Sequence, residues 1–373
     1  MDTSLIEHFS IIPEHRQRCK VDHELIDIII LCIVGVICGA EGWQDIKFVG
    51  DARIDWFQER GLLLNGVPVD DTIARVISKI CPEQLQSCFI NWMSSASKSS
   101  RGKIIAIDGK RLRRSYDTKK RKSAIHMVSA FAAENGVVLG QIKTEEKSNE
   151  ITAIPELLKL LDISGSIVSI DAMGCQESIA KSIIDKDADY VLAVKKNQKN
   201  MHSEISDFFE IARKNNFRNV THEYYEEHYK GHGRIESRRY WLSSNLETLS
   251  KKEKWTGLKT IGMAESERNL NGEITIERRY FITSLEVNAK DFAESVRKHW
   301  GIENRLHWVL DVTFKEDDSR VRRDNASENL AVVRHVAINA LRNDKTEKVG
   351  VKAKRYKAAL MPNYAEKILN DIF

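Results

Sequence analysis

Two aspartates follow similar apolar, β-branched runs: Asp108 in IIAIDGK (residues 104–110) and Asp171 in IVSIDAMG (residues 167–174). Each run predicts a strand, and the interior of a strand normally excludes a carboxylate. If both acids lie at the carboxyl ends of strands in one sheet, they repel each other unless they are protonated or a cation lies between them. Mg²⁺ takes carboxylate, water and phosphate oxygens as ligands, so it suits such a pair. The alternative is that each aspartate only caps the turn or helix after it.

A third acid, Glu303, lies in the predicted helix HWGIENRLHWVLDV, residues 299–312. Trp300, Glu303 and His307 are spaced by three and four residues, so they share one face of this helix. A glutamate on a largely apolar face is unfavourable without a partner, and a metal shared with the two aspartates would be such a partner. The alternative is a surface ion pair with a neighbouring lysine or arginine. Trp300 and Trp308 are expected to anchor the core rather than to stack on bases.

Basic residues follow each of the three acidic segments. They are Lys110, Arg111, Arg113 and Arg114, then the run KKRK at residues 119–122; Lys195 and Lys196 with Asn197; and Arg320, Arg322 and Arg323. Lysine and arginine bind phosphates with an affinity that depends on salt and little on base sequence. Each cluster alone predicts only a solvated surface, but their shared position after the acids favours DNA binding. The stretch HYKGHGRIESRRY at residues 228–240 lacks a convincing metal-ligand set and is also expected to face DNA.

The composition excludes several classes of protein. The chain has 373 residues, of which 42% are apolar and 30% charged, so wholesale disorder is not expected. A net charge of +4 excludes a histone-like basic protein and leaves nucleic-acid binding to local clusters. The six cysteines contain no CxxC pair, so they predict reduced thiols in the cytoplasm rather than a structural zinc site.

The most apolar segment is IIILCIVGVICGA, residues 28–40. Its 13 residues are fewer than the roughly 20 that a membrane-spanning helix needs. It therefore predicts a buried core helix and no contact with a membrane. No secretory leader is indicated at the N-terminus.

The elements that must position the acids fall into distinct regions. The polar, serine-rich stretch SSASKSSRGK at residues 94–103 predicts a boundary after an all-helical region. Strands and helices then alternate, which indicates an α/β sheet that opens with an antiparallel hairpin turned at Glu134–Gly136. The predicted domains are residues 1–95, residues 96–345 with a β-rich insertion at about 217–285, and a helical tail at residues 346–373.

Several long motifs in this sequence strongly resemble the H-repeat-associated proteins, which are bacterial insertion-sequence transposases of the DDE type. The motifs are IAIDGKRLRRSYD, EEKSNEITAIPELLKLLDISGSIVSIDAMGCQ, YVLAVKKNQ and HWGIENRLHWVLDV, with GAEGWQDIKFVG and PVDDTIARV in the N-terminal region. The resemblance covers nearly the whole chain. It implies an RNase H-like core, in which a mixed sheet has flanking helices, with the β-rich insertion ahead of the glutamate helix and a helical leading domain.

The resemblance also implies a reaction. Asp108, Asp171 and Glu303 map onto the catalytic triad, which would hold two Mg²⁺ ions, with Mn²⁺ able to substitute. The substrate would be double-stranded DNA, namely the terminal inverted repeats of the element and its target. The family implies a homodimer on paired ends, in the bacterial cytoplasm.

One part of the pattern departs from broader relatives of the family. Those relatives carry Tyr, Arg and Lys around the glutamate, where this chain has Val296, His299 and Leu310. His299 is still expected to contact phosphate. Two other interpretations remain: a DNA-binding remnant of a mobile element that cannot cut, and a metal-dependent nuclease on the same fold.

Overall fold

The computed structural model describes residues 4–96, 102–116, 123–144, 150–231, 234–270 and 272–372. The strands in these ranges are β1 (Ile104–Arg111), β2 (His126–Ala132), β3 (Val137–Lys143), β4 (Ile167–Ile170), β5 (Asp189–Val194), β6 (His222–Gly231), β7 (Arg234–Ser243), β8 (Thr260–Leu270) and β9 (Glu273–Thr283). They form a nine-stranded mixed sheet in the order β3-β2-β1-β4-β5-β9-β8-β7-β6. The predicted α/β class is confirmed.

Helices precede, interrupt and follow these strands. They are α1 (Leu5–Phe9), α2 (Leu25–Ile37), α3 (Trp43–Ala52), α4 (Ile54–Gln58), α5 (Asp70–Ile77), α6 (Pro82–Ala96), α7 (Glu150–Leu160), α8 (Glu177–Ile184), α9 (Lys199–Lys214), α10 (Ala289–Ile302), α11 (Trp308–Val312), α12 (Ala326–Asn343), α13 (Val351–Leu360) and α14 (Pro362–Asn370).

The register of the central strands places the two aspartates side by side. β1 runs parallel to β4 with Ile107 beside Ile170, and the residues that follow these two are Asp108 and Asp171. β4 ends at Ile170, whereas β1 continues to Arg111 by pairing with β2 alone. The prediction that the strand ends at Asp108 is therefore wrong, because β2 still supplies backbone partners there. The carboxylate lies where the strand has lost its neighbour on one side.

Helices cover both faces of this part of the sheet. α10 packs across β1, β4 and β5 on the face that carries Asp108, whose side chain shares a cavity with Val296 of α10. α7 packs on β2 and β3 from the opposite face. Side chains alternate along a strand, so a Cβ on Gly109 would point away from Asp108, and it would meet Glu150 of α7. Helices on both faces of the sheet therefore lie close to the edge that carries the two aspartates.

The helices of residues 4–96 share their core with the C-terminal part of the chain. Every residue of α2 except Ile26 is buried, and α2 packs on α12. The Arg355 guanidinium donates to the carbonyls of Val36 and Ala40, which satisfies backbone groups at the end of α2. The prediction of a buried core helix is confirmed. In the described part of the chain, no helix combines the length and the apolar character that crossing a bilayer requires.

The β-rich stretch extends the central sheet. β9 pairs antiparallel with β5, and β8, β7 and β6 continue outward from it. Beyond the core these strands are charged on both faces. Arg239 of β7, for example, lies 2.9 Å from Glu226, 3.2 Å from Glu265 and 2.9 Å from Glu267. Such cross-strand pairs allow the sheet to continue where little apolar side chain is available to bury.

The hairpin predicted at Glu134–Gly136 is confirmed between β2 and β3. Gly136 adopts a φ of +72°, a conformation that glycine reaches without steric cost.

Candidate active site

A cavity of about 210 Å³ lies at the sheet edge beside the two aspartates. We call it the acid cavity. Its polar lining includes Asp108, Asp171, Lys195, Arg279, His299 and Glu303. The three predicted acids therefore face one space, although they come from β1, from the turn after β4 and from the end of α10.

Asp171 has two roles in the structure. Its Oδ1 accepts a hydrogen bond of 2.9 Å from the Met173 amide and so caps the short 3-10 turn Ala172–Gly174. The same side chain lines the acid cavity. The capping and site interpretations of this aspartate are thus compatible. A Cβ on Gly174 would lie 2.3 Å from Cγ2 of Ile170, so the turn closes this tightly only with glycine there.

The segment after β5 fixes that turn. Asn197 Nδ2 donates to the Ala172 carbonyl at 2.6 Å, and Gln198 Nε2 donates to the Cys175 carbonyl at 3.0 Å. Asn197 was expected to contact DNA, but the structure engages its amide nitrogen in positioning the turn that carries Asp171. The motif KKNQ therefore supports the site indirectly, because two of its side chains hold the backbone of the turn that carries Asp171.

Negative charges act on one another at the acid cavity. Burial and the charges of Asp171, Glu150 and Glu303 raise the pKa of Asp108 to about 7. Burial and the charge of Glu150 raise the pKa of Asp171. Glu150, the first residue of α7, was missed by the sequence analysis. The available signal was its place in the motif EEKSNEITA together with the glycine directly after Asp108.

Glu303 begins a π-helical turn, Glu303–His307, that follows α10. This wider turn breaks the helical spacing assumed from the sequence. Glu303 is exposed at the acid cavity, whereas His307 is buried with its Nδ1 3.5 Å from Oδ2 of Asp108. Burial and the charge of Lys110 lower the pKa of His307 to about 4, so this imidazole is neutral at pH 7.

The two tryptophans that flank the π-helical turn are exposed. Trp300 is 42% and Trp308 is 59% accessible, so the prediction that they anchor the core is wrong. Trp300 also lines the acid cavity. Trp300 contacts the Arg279 guanidinium, which lies 4.5 Å from the centre of its ring.

Lys110 lies away from the acid cavity. Its Nζ is 2.7 Å from Asp311, 2.9 Å from Glu316 and 3.3 Å from Asp317, and its side chain is 9% exposed. Burial alone would lower the pKa of Lys110, but the charges of Glu316 and Asp311 raise it overall. This ammonium is enclosed by carboxylates, so the structure does not present it to a phosphate.

The remaining predicted DNA contacts fall into separate groups. Arg113 and Arg114 are exposed and lie 3.2 Å from Asp317 and 3.5 Å from Asp318, respectively. Arg111, Lys195 and Lys196 are exposed, and Lys195 lines the acid cavity. Arg320, Arg322 and Arg323 line a separate concavity with Trp43. The run KKRK lies outside the described residues, and so does His232 of the stretch 228–240.

His299 lies on the side of the acid cavity that faces the protein core. Its Nδ1 lies 3.2 Å from the Ser169 hydroxyl. Burial lowers the pKa of His299 to about 4. A neutral imidazole offers a phosphate a hydrogen bond but no positive charge.

A second concavity of about 520 Å³ adjoins the acid cavity and shares Glu277, Arg279, Val296 and Trp300 with it. We call it the arginine groove, after Arg238, Arg268, Arg279, Arg297 and Arg305. The groove as a unit was not predicted from the sequence. Its residues come from β7, β8, β9, α10 and the π-helical turn, and no sequence pattern shows that these elements converge.

The sequence profile described as Transposase DDE domain matches residues 99–340, and the profile associated with it matches residues 6–93. The chain is also 46% identical over 370 residues to YhhI of Escherichia coli (strain K12), an H repeat-associated candidate transposase. That alignment covers 98% of this chain and 97% of YhhI. The chain belongs to the DDE transposase family.

A second curated relative shows the same relationship. YncI of Escherichia coli O157:H7, also a candidate transposase, is 48% identical over 98% of this chain and 94% of its own length. A solved piggyBac transposase synaptic complex with hairpin DNA aligns with 98% of this chain and 77% of that chain, at 11% identity and a TM-score of 0.43. This similarity is too low to support an inference about function.

Membership of a DDE transposase family implies dependence on a divalent cation in general. Three carboxylates around one cavity supply the oxygen donors that hard divalent ions take. Burial and neighbouring carboxylates disfavour the ionised form of Asp108 and raise its pKa, and a cation would favour the ionised form. The donor chemistry therefore fits a divalent ion. Within the described ranges, no three Asp, Glu, His or Cys side chains are grouped closely enough to enclose one as they stand.

Proposed function

We propose that this protein is a transposase that cleaves the ends of an insertion sequence and joins them to target DNA by metal-dependent phosphoryl transfer. The observation that carries the proposal is that Asp108, Asp171 and Glu303 line one cavity, where burial and acidic neighbours raise the pKa of Asp108. The antiparallel β1–β2–β3 unit followed by parallel β4 and β5 supports an RNase H-like core. The helical leading domain, residues 1–95, is part of the same proposal.

The metal ligands in this proposal are Asp108, Asp171 and Glu303, with two Mg²⁺ ions, or Mn²⁺ in their place. Held by these residues, the ions would supply activation of water or a 3′-hydroxyl and charge stabilisation of the leaving oxygen. Asp108 has the other two acids as neighbours, so it is the residue best placed to be a ligand of both ions. The turn cap and Asn197 hold Asp171 in place, while Glu303 lies on an exposed turn where it can adjust to a ligand.

The proposed path of the DNA runs over the acid cavity and into the arginine groove. Lys195 and Arg279 line the cavity, and the groove continues from it on the side of β7 and β8. In this proposal, positive side chains that line the same surface as the acids hold the DNA backbone while the acids face the scissile phosphate. A homodimer on paired element ends belongs to the same proposal.

The experiment uses the full-length protein with duplexes that carry the terminal sequences flanking its reading frame. We expect cleavage and strand-transfer products in Mg²⁺ or Mn²⁺. Asp108→Asn, Asp171→Asn and Glu303→Gln should each abolish both products while DNA binding is retained. The matched control is Glu294→Gln, which removes an exposed carboxylate of α10 that pairs with Lys298.

Full cleavage by any one of the three variants would refute the assigned triad. Cleavage without strand transfer would favour a nuclease. Binding without any product in the wild type would favour a remnant that cannot cut.

A further inference from the structure

We propose that Arg342 is a positioning residue for Glu303: its guanidinium ties the π-helical turn that begins at Glu303 to the sheet that carries Asp108. The inference rests on the proposed function, because it takes Glu303 as a ligand of a divalent cation at the acid cavity. It goes beyond that function by assigning a task to α12, a helix from which none of the described cavity residues comes.

The π-helical turn is held by side chains as well as by its own backbone. The Glu303 carbonyl accepts a hydrogen bond from an amide five residues later, one residue further than in an α-helix. Such a turn interrupts the regular series of backbone hydrogen bonds, so nearby carbonyls take partners elsewhere. The Trp300 carbonyl accepts a hydrogen bond of 3.2 Å from Asn304 Nδ2, and the Arg305 carbonyl accepts one from the Arg342 guanidinium.

Arg342 joins this turn to the β2–β3 hairpin. Through Nη1 it donates to the Gly136 carbonyl at 2.5 Å, and through Nη2 it donates to the Arg305 carbonyl. Arg305 makes a second link, because its own Nη1 donates to the Ala133 carbonyl at 2.6 Å. A Cβ on Gly136 would lie 2.4 Å from Nη2 of Arg305, so glycine leaves the room that this arrangement needs. The turn is thus tied to the hairpin at two points.

The hairpin and α12 are themselves fixed to the sheet. β2 pairs with β1 along the segment that contains Asp108. Asn339 of α12 exchanges two hydrogen bonds of 2.9 Å with the backbone of Val138 in β3. Arg342 therefore extends from a helix that is anchored to the sheet, and its contacts with the turn fix Glu303 relative to Asp108.

The charges at this contact indicate a role beyond stability. The guanidinium carbons of Arg305 and Arg342 lie 5.7 Å and 5.6 Å from the centre of the buried Phe131 ring. Burial and the charge of Arg305 lower the pKa of Arg342 to about 10, and within the described ranges no carboxylate pairs with either guanidinium. Two like charges without a counter-charge repel each other. An uncharged aliphatic residue would avoid this repulsion, but it could not supply the fork of donors that bridges two carbonyls.

Two other roles for Arg342 make different predictions. If Arg342 only stabilises the hairpin, its loss lowers the melting temperature and leaves metal binding unchanged. If it binds a DNA phosphate together with Arg305 of the arginine groove, its loss weakens DNA binding and reduces the salt dependence of that binding. A positioning role changes neither DNA binding nor its salt dependence, but it weakens metal binding through Glu303.

The test is calorimetric titration of the full-length protein with Mn²⁺, with cleavage kinetics and the affinity for a labelled duplex measured in parallel. We expect Arg342→Met to weaken Mn²⁺ binding by about 10-fold and to lower kcat for cleavage by about 10–100-fold, because displacement of a ligand at a reacting centre has effects of this size. KM and Kd for DNA should remain those of the wild type, because no phosphate contact is lost.

Glu303→Gln, alone and combined with Arg342→Met, shows whether Arg342 acts through Glu303. If it does, the double variant binds Mn²⁺ as weakly as Glu303→Gln and no more weakly. Melting curves in EDTA establish that each variant is folded. Arg342→Lys, which keeps the charge but lacks the planar fork, replaces Arg342→Met if that variant does not fold.

The matched control is Arg53→Met. Arg53 lies between α3 and α4, and its guanidinium donates to the Ala358 carbonyl at 2.8 Å. This control therefore also loses a contact between a guanidinium and a backbone carbonyl, and it should bind Mn²⁺ as the wild type does.

The outcomes separate this inference from the function on which it rests. If Glu303→Gln weakens Mn²⁺ binding and Arg342→Met does not, the positioning role is refuted and the proposed function stands. The role is also refuted if the double variant binds Mn²⁺ more weakly than Glu303→Gln, or if Arg342→Met reduces the salt dependence of DNA binding. If the wild type binds no Mn²⁺, or if Glu303→Gln binds it as the wild type does, both fail. Weaker Mn²⁺ binding by Arg342→Met, with no further loss in the double variant and with DNA binding retained, supports the inference.

Discussion

At the scale of single residues, the ionised Asp108 side chain lowers the stability of the folded protein in the absence of metal. Its pKa, raised to about 7, means that the folded state holds this proton more tightly than the unfolded chain does, where an aspartate titrates near 4. The stability associated with the protonated form is fully present below pH 4 and is lost as the pH rises through 7. A cation at the cavity would reverse this loss.

We therefore expect the free energy of unfolding in EDTA to fall between about pH 4 and pH 7 for the wild type relative to Asp108→Asn. The difference should reach about 2–4 kcal/mol, since one pKa unit corresponds to about 1.4 kcal/mol and the carboxyl group is a quarter exposed. Denaturant unfolding at several pH values measures it. If the stability of the two proteins depends on pH in the same way, ionisation of Asp108 is not the cause. Addition of Mn²⁺ at pH 8 should reduce the difference in free energy of unfolding between the two proteins.

At the scale of elements, Lys110 joins β1 to the segment after the glutamate helix. Its ammonium contacts Asp311 of α11 and the carboxylates of Glu316 and Asp317 in the turn that follows. Arg334 of α12 lies 3.5 Å from Glu316 on the other side. This buried network holds α11 against the strand that carries Asp108.

Lys110→Met should lower the free energy of unfolding by roughly 3–5 kcal/mol, because it leaves the buried Glu316 short of a positive partner. Arg111→Met, which changes the next and exposed residue of β1, should stay within about 0.5 kcal/mol of the wild type. Chemical denaturation at pH 7 compares the two. Equal stability of both variants would show that Lys110 is not a structural cation.

At the scale of the whole molecule, the acid cavity and the arginine groove form one continuous surface of opposite charges. Carboxylates predominate in the acid cavity, whereas the groove is lined by five arginines, three of which pair with its own Glu236 and Glu277. A polyanion binds such a surface by contacts that displace counterions, so affinity falls as salt rises.

Lys195→Ala and Arg268→Ala should each reduce the slope of log K against log salt by about 0.9, the value expected for one lost phosphate contact. Fluorescence anisotropy with a labelled duplex at several salt concentrations measures the slope. Lys181→Ala on α8, whose side chain pairs with Asp185, is the control and should leave the slope unchanged. An unchanged slope in the first two variants would place the DNA elsewhere.

Features that depend on a pattern within a single strand or a single motif could be predicted from the sequence. The paired runs before Asp108 and Asp171 predicted two strands of one sheet, whereas their register is known only from the structure. Lys110 was misread because its carboxylate partners lie about 200 residues away, where no local pattern reveals them. Glu150 was missed because only packing brings α7 to the sheet edge. The π-helical turn after α10 moves His307 off the face that regular helical spacing would give it. Trp300 precedes this turn, and its exposure, like that of Trp308, depends on packing that no local pattern shows.

The shared core of α2 and α12 has a consequence for how the chain folds as it is made. The two helices are nearly 300 residues apart in the sequence. At typical synthesis rates an apolar helix must therefore wait roughly 15 to 60 s on the ribosome for its partner. During that interval it is a binding surface for chaperones, and a reading frame interrupted before α12 would leave it exposed permanently. Shortened copies should accordingly be cleared by proteases rather than persist as DNA-bound competitors of the complete protein.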